Sequence, residues 1–223
     1  MAPKPPAGKG LDTLFKNLRK AVLGTAMPSV SQIAEKLRDP FKVLISTMIS
    51  LRTKDEVTLP AAGRLFSRAE TPEQLRRLSE KEIAELIYPA GFYKTKAGNI
   101  KKTADILCRE YGGSVPDSEE SLLALPGVGR KTANLVLNLG FGIDAICVDT
   151  HVHRISNRLG LVSTKTPEET EQGLMKVLPK KYWIEINELL VKFGQQICTP
   201  QSPRCSRCTL VEMCPRIGVV RSR

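Results

Sequence analysis

LPGVGRKTANLVLNLG, residues Leu125–Gly140, is the stretch on which the reading of this chain turns. A helix ending at Leu125 meets Pro126, which cannot continue it. Gly127-Val128-Gly129 then makes a tight turn whose glycines permit positive φ and leave the backbone N–H groups open to approach. From Arg130 the residues run apolar apart from Lys131 and a few small polar side chains, so a second helix opens there, with Gly140 its expected end. A helix–hairpin–helix of this kind presents N–H groups and the positive end of a helix, which suit a backbone phosphate. Such a grip positions a duplex without reading its bases. A glycine turn between helices is also an ordinary connection, so the hairpin alone leaves both readings open.

Working outward, the periodicity is helical almost throughout. FKVLISTMIS, residues 41–50, is an apolar helix. Thr71-Pro72-Glu73 and Thr166-Pro167-Glu168-Glu169 are helix starts with proline at the first helical position. Ser79 and Glu82 form a capping-box pattern, and Asp117-Ser118 precede the helix that leads into the hairpin. Asp149 or Thr150 starts another helix, which Gly160 closes, and WIEINELLVKFGQQIC carries the last long one. The best strand candidate is AICV, residues 145–148. The expected fold class is all-α with short loops.

Lys131 follows the turn by two residues. An ordinary lysine titrates near 10.4 and is a poor nucleophile at neutral pH; burial or a helix start lowers that value and yields free amine. An amine aimed at a sugar C1′ can displace a base and form a Schiff base. Eighteen residues on lies Asp149, in VDTHVHRISNRLG. Its carboxylate can cap the following helix, assist the lysine, or do both. His151 and His153, the two histidines of the chain, stand two apart. They do not share a helix face, which excludes a metal pair; His151 either supports the helix start or approaches DNA.

Cys198, Cys205, Cys208 and Cys214 follow the spacing C-x6-C-x2-C-x5-C, four thiols within seventeen residues. That density points to a metal site. Zinc accepts four cysteines, usually as two C-x2-C pairs, and only one such pair exists here. An iron–sulfur cube, with one cysteine per iron, suits the uneven spacing; a disulfide pair or reduced thiols are the remaining reading. Cys108 and Cys147 read as small core residues. Arg204 and Arg207 flank the ligands, placed either to balance a negative cluster or to face phosphate.

Lysine and arginine outnumber aspartate and glutamate by 34 to 23 in 223 residues, a formal charge of +11. That balance favours an acidic partner, nucleic acid first, though a basic protein of another kind has the same count. The opening MAPKPPAGKG reads as a loose basic arm over residues 1–10 rather than a signal peptide. No apolar run approaches a membrane span. The expected location is intracellular, where structural disulfides are uncommon.

LPGVGRKTANLVLN, then VDTHVHRISNRLG, then the four-cysteine tail, in that order, resemble the endonuclease III family of base-excision DNA glycosylases. The likeness runs from about Leu14 to Cys214. It implies two helical domains with a DNA cleft between them: a six-helix barrel holding the hairpin, residues 30–143, and a cluster domain built from residues 11–29 with 144–223. It implies a [4Fe-4S] cluster on Cys198, Cys205, Cys208 and Cys214, Lys131 as nucleophile and Asp149 as catalytic carboxylate. The implied substrate is duplex DNA with an oxidised pyrimidine such as thymine glycol, or an abasic site, met by a monomer on DNA in nucleoid or nucleus. The hairpin residues Pro126, Gly127, Val128, Gly129 and Arg130, with His151 and Arg204, would touch DNA.

Two positions depart from the family pattern. Arg52, in SLRTKDEVT, stands where relatives often carry the glutamine that fills the gap left by a flipped base. Phe92, in GFYKTKAGNI, stands where bacterial members often carry leucine. Both side chains can wedge a duplex, since phenylalanine stacks and arginine stacks or pairs; the other reading of Phe92 is a core aromatic. GFYKTKAGNIKK also carries four lysines, expected either to follow phosphates or to solvate a helix. Competing readings are a mono-functional mismatch glycosylase of the same superfamily, whose members typically lack the lysine at position 131, a non-catalytic helix–hairpin–helix DNA-binding protein, and an electron carrier.

Overall fold

The structure is a computed structural model that describes residues 9–37 and 39–223. Residues 1–8 of the expected arm lie outside the described residues. Lys9 and Gly10, assigned to the same arm, instead form the first turn of a helix. All regular structure among the described residues is helical, as expected. The strand candidate at 145–148 is irregular: a strand needs a partner, and Ile146 and Val148 are buried in a helical core instead.

The chain divides into two compact units. One is Pro28–Ala145; the other joins the described residues up to Met27 with Ile146–Arg223. The sequence reading drew its divisions at 30–143 and at 11–29 with 144–223.

α1 (Lys9–Ala21) belongs to the second of these units. Leu11, Leu14, Phe15 and Leu18 are buried along it, the stripe of a helix with one face in a core. Phe15 stacks on Tyr182, ring centroids 3.8 Å apart. Arg19 donates to Glu185, 166 residues later, so the N-terminal helix is fastened to the C-terminal part of the chain.

In the Pro28–Ala145 unit the helices are α2 (Ser29–Leu37), α3 (Pro40–Ser50), α4 (Asp55–Arg68), α5 (Pro72–Arg77), α6 (Glu80–Ile87), α7 (Tyr93–Glu110), α8 (Glu119–Leu123) and α9 (Arg130–Val136). α3 is buried almost all round, from Phe41 to Ile49, and is the centre of this unit. Asp39 caps it, Oδ1 accepting from the N–H of Phe41 at 2.9 Å. Thr71 caps α5, Ser118 caps α8, and Ser79 with Glu82 forms the full capping box of α6.

Gly140 does not end the hairpin's second helix. α9 passes into a π-helical turn, Leu137–Phe141, and Gly142, with φ +68°, stops it. Gly140 lies against the start of α3, where a Cβ would sit 3.1 Å from Pro40 Cα. Its missing side chain serves close packing, not chain reversal.

The second unit continues with α10 (Thr150–Arg158), α11 (Pro167–Val177) and α12 (Glu185–Gln196). Gly160 turns the chain after α10 at φ +68°. Past α12 the described chain holds one 3-10 turn, Cys205–Arg207.

Candidate functional site

Of the two hairpin glycines only one uses a positive φ; Gly129 is extended, at φ −102°. Gly127 sits at φ +77°, and a Cβ there would meet Asn99 Nδ2 at 2.7 Å. Gly127 and Gly129 are exposed, while Val128 between them is buried. Val128 donates its N–H to Leu125 O at 3.1 Å, and Thr103 holds Pro126 O from α7 at 3.3 Å. Arg130 pairs with Glu119 at 2.7 Å, tying the two hairpin helices together. Thr132, Ala133, Asn134 and Val136 are buried. Lys131 alone in this first turn is turned outward and exposed. Arg130 beside it is part-exposed on its ion pair with Glu119, and the residues that follow, Thr132 to Asn134, are buried.

Two loops of the same unit carry Arg52 and Phe92. Both residues are non-glycine with positive φ, +51° and +57°. The Arg52 guanidinium carbon lies 5.5 Å from the centre of the Phe92 ring, within cation–π reach. Phe92 is 63% exposed, so it is not a core aromatic. Arg64, on α4, donates to Leu86 O at 2.8 Å and to Tyr88 O, anchoring the loop that leads to Phe92.

The lysines of α7 do not form one solvated row. Lys96 is buried. Its Nζ donates to Ile49 O at 2.6 Å, Leu51 O at 2.5 Å and Thr53 Oγ1 at 2.8 Å. Burial pushes its pKa down to about 8, and the three oxygens around the ammonium pull the other way.

In the second unit Asp149 caps α10. Its Oδ1 accepts from the N–H groups of His151 at 2.8 Å and Val152 at 2.9 Å. The His151 ring packs over α12: a Cβ on Gly194 would lie 2.3 Å from His151 Nδ1. Arg154 sets its Nη2 3.1 Å from the same nitrogen and donates to Cys198 O at 3.0 Å.

Cys198, Cys205, Cys208 and Cys214 all line one cavity, otherwise walled chiefly by apolar side chains such as Ile155, Phe193 and Leu210. None is in a disulfide. Arg158, buried, donates from Nη1 to Cys198 Sγ at 3.3 Å and to Thr199 O at 2.8 Å. The Leu210 N–H points at Cys208 Sγ at 3.4 Å. Burial raises the thiol pKa of Cys208 and of Cys214, against the backbone N–H groups of Leu210 and Arg216 that lower them. Arg204 and Arg216 also line the cavity, while Arg207 is exposed. Among the described residues no three His, Cys, Asp or Glu side chains lie close enough to hold one metal ion. A single zinc needs its thiolates about 2.3 Å from one centre. An iron–sulfur cube takes one thiolate at each of four irons and so accepts sulfurs further apart. The donor set around this cavity fits the cube. Of the other two cysteines, Cys147 is a buried core residue, while Cys108 is only part-buried beside Arg76.

Sequence reasoning did not single out Arg158, Arg216 or the buried station of Lys96. In the sequence Arg158 is a basic residue in a last helical turn, which normally faces solvent; nothing local marks it as a sulfur donor.

The family model described as HhH-GPD superfamily base excision DNA repair protein matches residues 45–180. That span holds Arg52, Phe92, the hairpin, Lys131 and Asp149. Endonuclease III of Thermotoga maritima is 53% identical over 179 residues, 80% of this chain and 84% of that protein. The chain belongs to the endonuclease III family. Endonuclease III homolog 2, chloroplastic, of Arabidopsis thaliana is 50% identical over 184 residues; the match covers 78% of this chain and 48% of that protein, about half its length. A solved structure described as a trapped endonuclease III–DNA covalent intermediate, estranged-adenine complex, matches with a TM-score of 0.83 at 34% identity, covering 93% of this chain and 95% of that one. This family member is a DNA glycosylase and abasic-site lyase of base excision repair. No helix among the described residues is long and apolar enough to cross a membrane.

Proposed function

We propose that this glycosylase removes oxidised pyrimidines of the thymine glycol type from duplex DNA, works as a monomer, and then cuts the strand at the abasic site. The observation that carries the reading is Lys131, exposed directly after the hairpin and followed by buried Thr132, Ala133 and Asn134. A structural match described as a trapped covalent protein–DNA intermediate supports a nucleophile of this kind.

A base inside the stack cannot be reached, so the damaged nucleotide is flipped out, at a cost of a few kcal/mol. The hairpin, Pro126 to Arg130, holds backbone phosphates, and Arg52 with Phe92 enters the space the flipped base leaves. The neutral Lys131 amine attacks C1′. The C1′–N bond breaks, and the base leaves with its electron pair and takes a proton. Asp149 assists by accepting the amine's proton or by stabilising positive charge developing on the sugar. The sugar ring then opens: the lysine nitrogen's lone pair forms the C1′=N bond as the C1′–O4′ bond breaks and O4′ takes a proton, and the resulting imine acidifies C2′–H. Loss of that proton expels the 3′ phosphate by β-elimination, and water then hydrolyses the imine to free Lys131.

Cys198, Cys205, Cys208 and Cys214 would hold a [4Fe-4S] cluster, with Arg158 donating to the Cys198 sulfur; bound there, it would cross-link four points of the 198–214 segment, whose regular structure is the 3-10 turn Cys205–Arg207. We assign Pro28–Ala145 to the barrel domain with the hairpin and the other unit to the cluster domain. The protein acts inside the cell on DNA, in the nucleoid or the nucleus.

The test is borohydride trapping on a duplex with one thymine glycol, wild type beside Lys131→Ala. A covalent protein–DNA band is expected with wild type and not with the variant. No band from wild type on this lesion or on an abasic-site duplex, despite tight binding, overturns the lyase reading in favour of a mono-functional or non-catalytic protein.

A further inference from the structure

Lys96 stands one helical turn after Phe92, on α7. An ammonium has three donors, and all three are used: on Ile49 O and Leu51 O, carbonyls at the C-terminal end of α3, and on Thr53 Oγ1. Thr53 Oγ1 donates to Leu51 O at 3.2 Å and accepts the Gly91 N–H at 3.1 Å. Arg52 lies between Leu51 and Thr53, and Phe92 follows Gly91. One buried charge therefore holds both flanks of Arg52 and, through one hydroxyl, the residue before Phe92. Gly91 admits no side chain here, because a Cβ would lie 2.5 Å from Arg52 O. The two loops are locked backbone against backbone.

Arg52 and Phe92 both occupy the left-handed region, which residues with a Cβ avoid. Such conformations persist where the surroundings over-determine them. A buried charge is costly unless its hydrogen bonds are satisfied, and a methionine would fill the same space without that cost. We propose that Lys96 is a positioning residue for strand opening: it presets Arg52 and Phe92, side by side, in the geometry that enters the duplex. The inference rests on the reading of Arg52 and Phe92 as the entering residues.

The test is Lys96→Met, which keeps the apolar stem and removes all three donors. Single-turnover base release is measured for thymine glycol opposite adenine and for the same lesion opposite an abasic analogue, where no base partner must be separated. The expected result is a loss about tenfold larger on the paired lesion than on the unpaired one, within the range that a ~1 Å misplacement produces. Arg52→Ala and Phe92→Ala are run beside it. If these two shift the paired-to-unpaired ratio and Lys96→Met lowers both rates equally, or neither, the positioning role is overturned while the entering pair stands. If Arg52→Ala and Phe92→Ala leave the ratio unchanged, the entering pair itself is wrong and the inference falls with it. Should Lys96→Met fail to fold, Thr53→Val, which removes the hydroxyl shared by Lys96, Leu51 and Gly91 but leaves the ammonium on Ile49 O and Leu51 O, decides: a smaller shift in the same direction supports the role, and an unchanged ratio overturns it.

Discussion

Asp149 is asked to do two things, and the structure allows them to be separated. Its Oδ1 accepts two N–H groups at the start of α10, at 2.8 and 2.9 Å. Asparagine offers a cap oxygen of nearly equal quality, whereas alanine offers none and costs about 0.5–2 kcal/mol. Asp149→Asn still loses the negative charge at a helix start, worth about 0.3–1 kcal/mol. For a chain of this size about 1 kcal/mol moves the melting temperature by roughly 2–4 °C. Asp149→Asn should therefore melt within about 4 °C of wild type, and Asp149→Ala below it. Base release should behave differently. Both variants lack the carboxylate, and both should lose about 10²–10⁴ in the single-turnover rate. The assays are a thermal melt and single-turnover release from a thymine glycol duplex. Asp149→Asn retaining its rate within a few-fold would refute the catalytic role. An alanine variant as stable as the asparagine variant would refute the cap argument.

Two further outcomes follow from the buried and clustered groups. Burial pushes the Lys96 pKa down to about 8 in the fold, below the value near 10.4 of the unfolded chain. Between those values the unfolded chain holds the extra proton, so stability should rise with pH there and be lost as pH falls through 8; melts of wild type against Lys96→Met from pH 7 to 10 check this, and a difference that does not change with pH refutes it. Cys214→Ala should sharply lower the iron and acid-labile sulfide bound per chain and lower the melting temperature, since a metal held only by the folded state stabilises it; an unchanged iron content would remove Cys214 from the ligand set.

Much of the fold was legible because its signals are local. The side chains of Thr71, Ser79, Ser118, Asp149 and Thr166 accept from backbone N–H groups two or three residues further on, and a sequence displays such positions directly. Gly140 misled for the complementary reason. Glycine reads as a helix stop, but its work is contact with Pro40, a hundred residues earlier, and the stop falls at Gly142. The apolar run at 145–148 read as a strand because periodicity reports burial and not what does the burying. The lysines of α7 looked alike in sequence, and the path of α3 past Lys96 sets it apart from the others.

The sequence alone determined the class of the protein: an all-helical chain with a glycine hairpin followed by Lys131, an aspartate at a helix start, and four cysteines spaced for a cluster. Those features are read residue by residue, because backbone conformation, capping and ligand type depend on near neighbours. Only the tertiary structure decided which face of the hairpin helix is open, that Arg158 reaches a cysteine sulfur, and that Lys96 is buried beneath Arg52 and beside the turn that carries Phe92. Each of these depends on which distant carbonyl, sulfur or side chain comes within about 3 Å, and hydrogen bonding and desolvation act at that range irrespective of separation along the chain.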